Sequence, residues 1–240
     1  MARTELTSVR PVLLIGLNFV RMQWLTVVIM GFYLVSIAGI FAFNEQRQEV
    51  SFFFQSHAFY VLFLGSMLAI PAIQTERKSR RIVAVLSKGI YRWQYLAGLW
   101  LGCSIITSLF SLMLGVIALS LCRAGHYRSD GLWPMTLALL LCCSMAVSVA
   151  VFYSIVLHPL LSVAATSITL VLPYAVRVVD WRPAAGLFPV WWFSEATSAF
   201  HFNGAPEAMG IILSTLLLTP CVLAMAAVAF ARMDVTTSPE

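Results

Sequence analysis

Histidine and cysteine are the side chains best suited to metal or nucleophilic chemistry, and in this chain they stand apart from one another. The histidines are His57, His126, His158 and His201. No two lie three or four residues apart and no H-E-x-x-H occurs, so no helix face carries a ligand pair. They read as histidines at the membrane boundary rather than as a metal centre. The cysteines are Cys103, Cys122, Cys142, Cys143 and Cys221, in or at the edge of apolar stretches and without C-x-x-C spacing. Cys142 and Cys143 are adjacent and point to different helix faces. All five read as small apolar packing residues.

Other catalytic constellations are equally thin. Ser104, Ser108, Ser111, Ser144, Ser148 and Ser154 recur in apolar stretches, but none sits in G-x-S-x-G. Such hydroxyls in lipid pack or bond to neighbouring helices. His126 and Asp130 share a short loop and read as a coincidence of spacing. No glycine-rich loop ends in Gly-Lys-Ser or Gly-Lys-Thr, and no Gly-Lys dipeptide occurs at all. The chain therefore has no P-loop of its own for ATP.

The elements that carry these residues are membrane elements. Of 240 residues, 60% are apolar and 10% charged, with a mean hydropathy of +0.89. A soluble domain has ~45–50% apolar and ~25% charged residues. This composition cannot cover a water-facing surface, and it excludes a cytosolic enzyme, a disulfide scaffold and a disordered chain. The net charge of +5 reads as a topology signal facing anionic headgroups. No basic stripe is interleaved with stacking aromatics, so nucleic acid is not a partner.

The charges mark where the chain leaves the membrane. Uncharged gaps of 23, 26, 30, 46 and 24 residues follow Arg21, Glu49, Arg92, Asp130 and Glu207. One crossing takes ~20 apolar residues. The longest gap carries His158-Pro159 near its middle, and proline breaks a helix there. The expected fold is an all-α integral membrane protein, one transmembrane domain over residues 1–240. Its six spans are expected at about 24–43, 53–73, 95–121, 133–156, 159–176 and 208–230. Pro11, Arg10 and Arg21 with Leu13, Leu14, Leu17 and Val20 predict an N-terminal interfacial helix over about 5–22.

None of the six spans contains Asp, Glu, Lys or Arg. Mid-membrane charges serve proton relays and ion coupling, so their absence argues against a proton- or sodium-driven carrier. With both termini inside, ten basic residues lie on the cytoplasmic side and five outside. The expected location is the cell membrane, multi-pass, with cytoplasmic termini.

Most of that asymmetry comes from residues 75–94, TERKSRRIVAVLSKGIYRWQ, with six basic residues against Glu76. On a helical wheel Arg77, Arg81, Lys88 and Arg92 fall within about 60° of one another. Ile82, Val83, Leu86 and Ile90 gather on the opposite side, and Val85 is the exception. The pattern predicts a basic amphipathic helix lying in the cytoplasmic interface.

Residues Glu76 to Gly102 resemble the cytoplasmic loop and third span of ABC-2-type transporter permeases. The matching positions are Glu76, Val85-Leu86-Ser87, Gly89, Arg92-Trp93 and Gly98. Arg80-Arg81, Gly89 and Leu99 stand where the family usually has Gly-Thr, proline and lysine. The stretch Leu187–Ala196 resembles that family's outer segment before the last span, an interfacial or re-entrant hairpin. Pro183 and Pro189 there forbid one continuous helix.

The resemblance implies the membrane half of an ATP-driven exporter, in which two permease chains pair. A separate ATP-binding-cassette ATPase then docks on the loop and holds the ATP, and this chain binds no cofactor. The coupling residues would be Glu76, Arg77, Arg81, Ser87, Lys88, Gly89 and Arg92. Pro189, Trp191, Trp192 and Glu195 would form an outer gate. Independently, Gly98 and Gly102 form a small-xxx-small pair that marks a close helix contact. Two other readings stand beside the exporter: a membrane-embedded enzyme, and a non-catalytic scaffold or channel subunit.

The charge asymmetry is testable by cysteine labelling from outside, in a background lacking the native cysteines. Cysteine at Ser129 should react in sealed cells, and cysteine at Ser79 should not. The reverse pattern would invert the topology.

Overall fold

The computed structural model describes residues 9–42, 47–78, 89–126, 129, 131–178 and 205–232. At 38, 40–42, 47–52, 76–78, 173–178 and 205–208 it describes the backbone alone. Among these residues the fold is all-helical, with seven helices: α1 Arg10–Met22, α2 Trp24–Ala42, α3 Arg47–Lys78, α4 Arg92–Ala124, α5 Leu132–Val156, α6 Pro159–Val178 and α7 Ala205–Arg232. Each expected span falls on one helix. Four segments are long and apolar enough to cross a membrane: Phe53–Thr75, Arg92–Ala124, Leu132–Val156 and Met209–Arg232. Helices α1 and α2 meet that criterion together, with a 60° bend between them. The described part of α6, Pro159–Leu172, is apolar but shorter.

The helix ends follow local chemistry. Pro159 opens α6, where its missing N–H costs nothing. The chain before it is extended at Leu157. The Ser162 hydroxyl closes this turn, facing the carbonyls of Tyr153, Leu157 and His158 at 3.0, 3.2 and 3.0 Å. Pro71 and Pro220 instead lie inside α3 and α7 without ending them. Membrane helices tolerate such breaks in the bonding ladder because neighbouring helices and local adjustments re-satisfy the backbone. The break after α1 comes at Gln23, whose N–H is shared between the Phe19 and Val20 carbonyls at 3.1 Å each. Its side-chain oxygen accepts from the Thr26 hydroxyl at 3.0 Å.

The axis of the bundle is α5, which packs against α7, α3, α4 and α6. Its residues Met145 to Val151 are all buried. Antiparallel packing of α4 on α5 follows from paired contacts. An added Cβ on Gly115 would lie 2.6 Å from Thr136, and the Trp100 indole N–H donates to the Ser144 carbonyl at 3.1 Å. Gly65 of α3 sits in the seam of both, with its missing Cβ 2.9 Å from Thr107 and 3.0 Å from Val147.

Helix α1 runs parallel to α4 and touches it through glycine. An added Cβ on Gly98 would lie 2.7 Å from Ile15 Cβ and 3.1 Å from the Val12 carbonyl oxygen. On Gly102 it would lie 2.9 Å from the Gly16 oxygen, and on Gly16 2.7 Å from Leu101 Cδ2. Further along, Gly31 of α2 faces Met113 of α4. The bent pair therefore tracks α4 along its length. The face of α1 turned to the protein is Val12, Gly16 and Phe19, while Leu13, Leu14 and Leu17 are exposed. The sequence pattern singled out those leucines as the apolar face. They are apolar toward the surroundings, and the bundle contact is chosen by the glycines instead.

Overpacking a filled contact costs ~1–3 kcal/mol. Gly98→Leu and Gly102→Leu are expected to lower the thermal unfolding temperature in detergent and to expose α1 to protease. Gly39→Ala should do neither, because an added Cβ there meets nothing within 4 Å.

Candidate functional site: the loop end of the bundle

The start of α1, the start of α4 and the end of α7 gather at one end of the bundle. Gly89 precedes α4 with φ +81°, in the left-handed region that glycine enters without a Cβ penalty. Tyr91 is extended and N-caps the helix, with its N–H bonded to the Gln94 side-chain oxygen at 3.1 Å. Gly89 is thus a turn that aims the chain into α4, a role proline could not supply at this φ.

One residue later Arg92 bridges to the end of α7. Its Nη1 donates to the Phe230 carbonyl at 3.2 Å and to the Ala231 carbonyl at 3.1 Å. These are among the last carbonyls of α7, which have no partner within their own helix. A cation there also meets the negative end of the helix dipole. Tyr95 and Phe230 stack beneath this bridge, with ring centroids 6.4 Å apart and an interplanar angle of 24°. One turn further, Gly98 and Gly102 hold α1. The first three turns of α4 thus grip two other helices.

The other expected site residues are placed as follows. Glu76 and Arg77 belong to the last turn of α3, which continues unbroken to Lys78. The sequence reading assigned them to a separate loop helix beginning at 75. No glycine or proline follows Pro71 before Lys78 to stop the helix, and cations at a C-terminus suit its dipole. Arg81, Ser87 and Lys88 lie outside the described residues, as do Pro189, Trp191, Trp192 and Glu195. The structure brings Gly89, Arg92, Gly98 and Gly102 together at the base of α4. The partner of Arg92 was missed in sequence because Phe230 and Ala231 are 138 and 139 positions away and contribute only backbone.

Elsewhere the polar groups are mostly spent internally. Thr107, Ser111, Thr136, Ser148 and Ser154 are buried and bond back to carbonyls of their own helices at 2.6–3.2 Å. Thr215 does the same with the Ile211 carbonyl. The sequence reading had such hydroxyls packing or bonding to neighbouring helices; these are buried and bond within their own helix. Cys103, Cys122, Cys142 and Cys143 are buried thiols, whereas Cys221 is exposed. Among the described residues no group of three or more His, Cys, Asp or Glu side chains could hold a metal ion. His126 and His158 are exposed at helix ends, as expected. His57 is not: only 5% exposed, it lies inside the apolar segment of α3. His201 and Asp130 lie outside the described residues.

Charge-assisted hydrogen bonds contribute ~1.5–3 kcal/mol when buried, and less for a half-buried guanidinium. Arg92→Gln is expected to fray the last turn of α7 by about 1 kcal/mol. Faster amide exchange there would be the sign, with α5 unchanged. Unaltered exchange at the end of α7 would mean that the bridge carries no weight. No family model matches this chain, and no curated protein matches it significantly either.

Proposed function

We propose that this chain is the membrane-spanning subunit of an ATP-driven exporter, with six crossings and both termini in the cytoplasm. The bent pair α1–α2 supplies the first crossing, followed by α3, α4, α5, α6 and α7. A second permease chain completes the pathway, and a separate ATPase binds at the basic stretch between α3 and α4. What carries the reading is the grip of α4 at its base. A push delivered by a soluble partner on the α3–α4 connection arrives at a helix start joined to α1 by Gly98 and Gly102 and to α7 by Arg92. A local displacement there moves three elements as a unit, as a coupling device requires.

Two sequence features support the same reading. The spans have no charged residue, so the energy for transport comes from outside the membrane. The chain has no P-loop, so ATP is held by another chain. On this reading Glu76, Arg77, Arg81 and Lys88 form or flank the ATPase contact. Arg92 acts behind it by tying α4 to α7.

Single reversals Arg77→Glu, Arg81→Glu and Lys88→Glu separate docking from simple topology. Removing one member of a buried interfacial charge pair costs ~2–5 kcal/mol. The expected outcome is normal membrane insertion with lost ATPase copurification and lost transport-linked ATP hydrolysis. Normal insertion with intact coupling in all three would leave these charges with a topological role only. Native mass spectrometry of the working complex should find two permease chains.

A further inference from the structure

His57 is the one rigid polar group in the described bundle with an empty valence. Ser104 Oγ and Thr166 Oγ1 are also buried without a partner, but a hydroxyl can swing to a carbonyl of its own helix. The His57 ring cannot. Its Nδ1 lies 2.7 Å from the Phe53 carbonyl oxygen. A carbonyl only accepts, so Nδ1 carries a proton, with the Ser56 hydroxyl also 3.3 Å from it, and in the neutral ring Nε2 is left as a lone-pair acceptor. Among the described residues no donor reaches Nε2, though the side chain is 95% shielded.

The surroundings of that nitrogen are aromatic. The Phe53 ring lies 4.4 Å from the imidazole, and Tyr33 and Tyr60 each lie 6.0 Å away, centroid to centroid. Tyr33 belongs to α2 and the others to α3, two helices that touch each other only sparsely. Tyr33 and Tyr60 are 41% and 60% exposed. Both rings stand at the surface beside a buried acceptor, where α2 and α3 pack sparsely. His57 is four residues into the apolar segment Phe53–Thr75, about 6 Å below its edge.

We propose that His57 is the anchor of a lateral binding site between α2 and α3, and that its ligand is a hydroxyl group carried by a membrane-soluble molecule. The chemistry selects against other occupants. An ammonium would be stripped of water against a neutral nitrogen. A metal ion finds no second and third ligand among the described residues. A lipidic alcohol needs one acceptor and brings an apolar body that the rings can cover. The site stands independently of the exporter reading.

The test uses the full chain, isotopically labelled at the histidine ring nitrogens, in phosphatidylcholine nanodiscs, whose lipid has no hydroxyl donor. The His57 signals are assigned by loss in His57→Gln. Nε2 is expected to resonate as a bare acceptor and to move saturably with hexadecanol but not with hexadecyl methyl ether. In phosphatidylglycerol nanodiscs without alcohol, a signal already moved identifies the headgroup hydroxyl as the source. An unmoved one identifies a free alcohol. A signal unaffected by hexadecanol and phosphatidylglycerol, or bonded already in phosphatidylcholine, overturns the proposal. A diazirine-bearing fatty alcohol should label the 53–60 segment. Labelling should fall about tenfold in His57→Phe, the loss of one hydrogen bond in a dry site, and recover in His57→Gln. Equal labelling of correctly eluting His57→Phe would also overturn it.

Discussion

Helices in lipid gain nothing by hiding apolar surface from one another, because the lipid is as apolar as the partner. What joins them is short-range contact. In this chain that constraint is met first at Gly16, Gly98 and Gly102, where a carbonyl of α1 approaches α4 so closely that a Cβ on Gly102 would sit 2.9 Å from it. Backbone proximity of this kind maximises dispersion contact and brings Cα–H groups against carbonyl oxygens. The placement of α1 depends on it, and so does the course of α2 beside the same helix. Gly65 and Gly115 repeat the device where α3 and α5 meet α4.

The second demand of a dry interior is that polar groups be satisfied from within. On α4 and α5 the hydroxyls of Thr107, Ser111, Thr136 and Ser148 turn back to carbonyls one helical turn earlier, which removes them from chemistry. This economy explains how a helix as enclosed as α5 can carry Thr136, Ser148 and Ser154 in its core. It also makes the bare nitrogen of His57 conspicuous, since an imidazole fixed through one nitrogen has no second conformation that satisfies the other.

The base of α4 combines both demands. Glycine turns the chain at 89, Gln94 closes the cap, and Arg92 supplies a cation to carbonyls that α7 cannot satisfy itself. Arg92 is engaged within the chain, whereas Arg77 and Lys78 extend α3 to its end. A wheel drawn over residues 75–94 places Arg77 and Arg92 on one face with Arg81 and Lys88. Residues 79–88, the middle of that stretch, lie outside the described residues, while 75–78 continue α3 and Arg92 to Gln94 open α4.

By itself the sequence located the helix behind each of its six apolar stretches and the break at Pro159, and it pointed to membrane helices, four of which are long and apolar enough to cross. These depend on apolar run length, on charge and on proline, all of which act locally. It also marked Gly98 and Gly102 as a contact, because a small-xxx-small pair lets two helix backbones approach closely. It did not name Gly16 as the partner, nor the leucine-free face of α1 as the buried one. Many apolar faces compete for a neighbour in lipid, and only three-dimensional packing chooses among them. Tertiary structure alone also decided what Arg92 and His57 do. Arg92 meets carbonyls of α7, distant in sequence, and His57 adds Tyr33 of α2 to its own neighbours Phe53 and Tyr60; a main-chain carbonyl or a shielding ring from another helix leaves no mark on the residue it will meet.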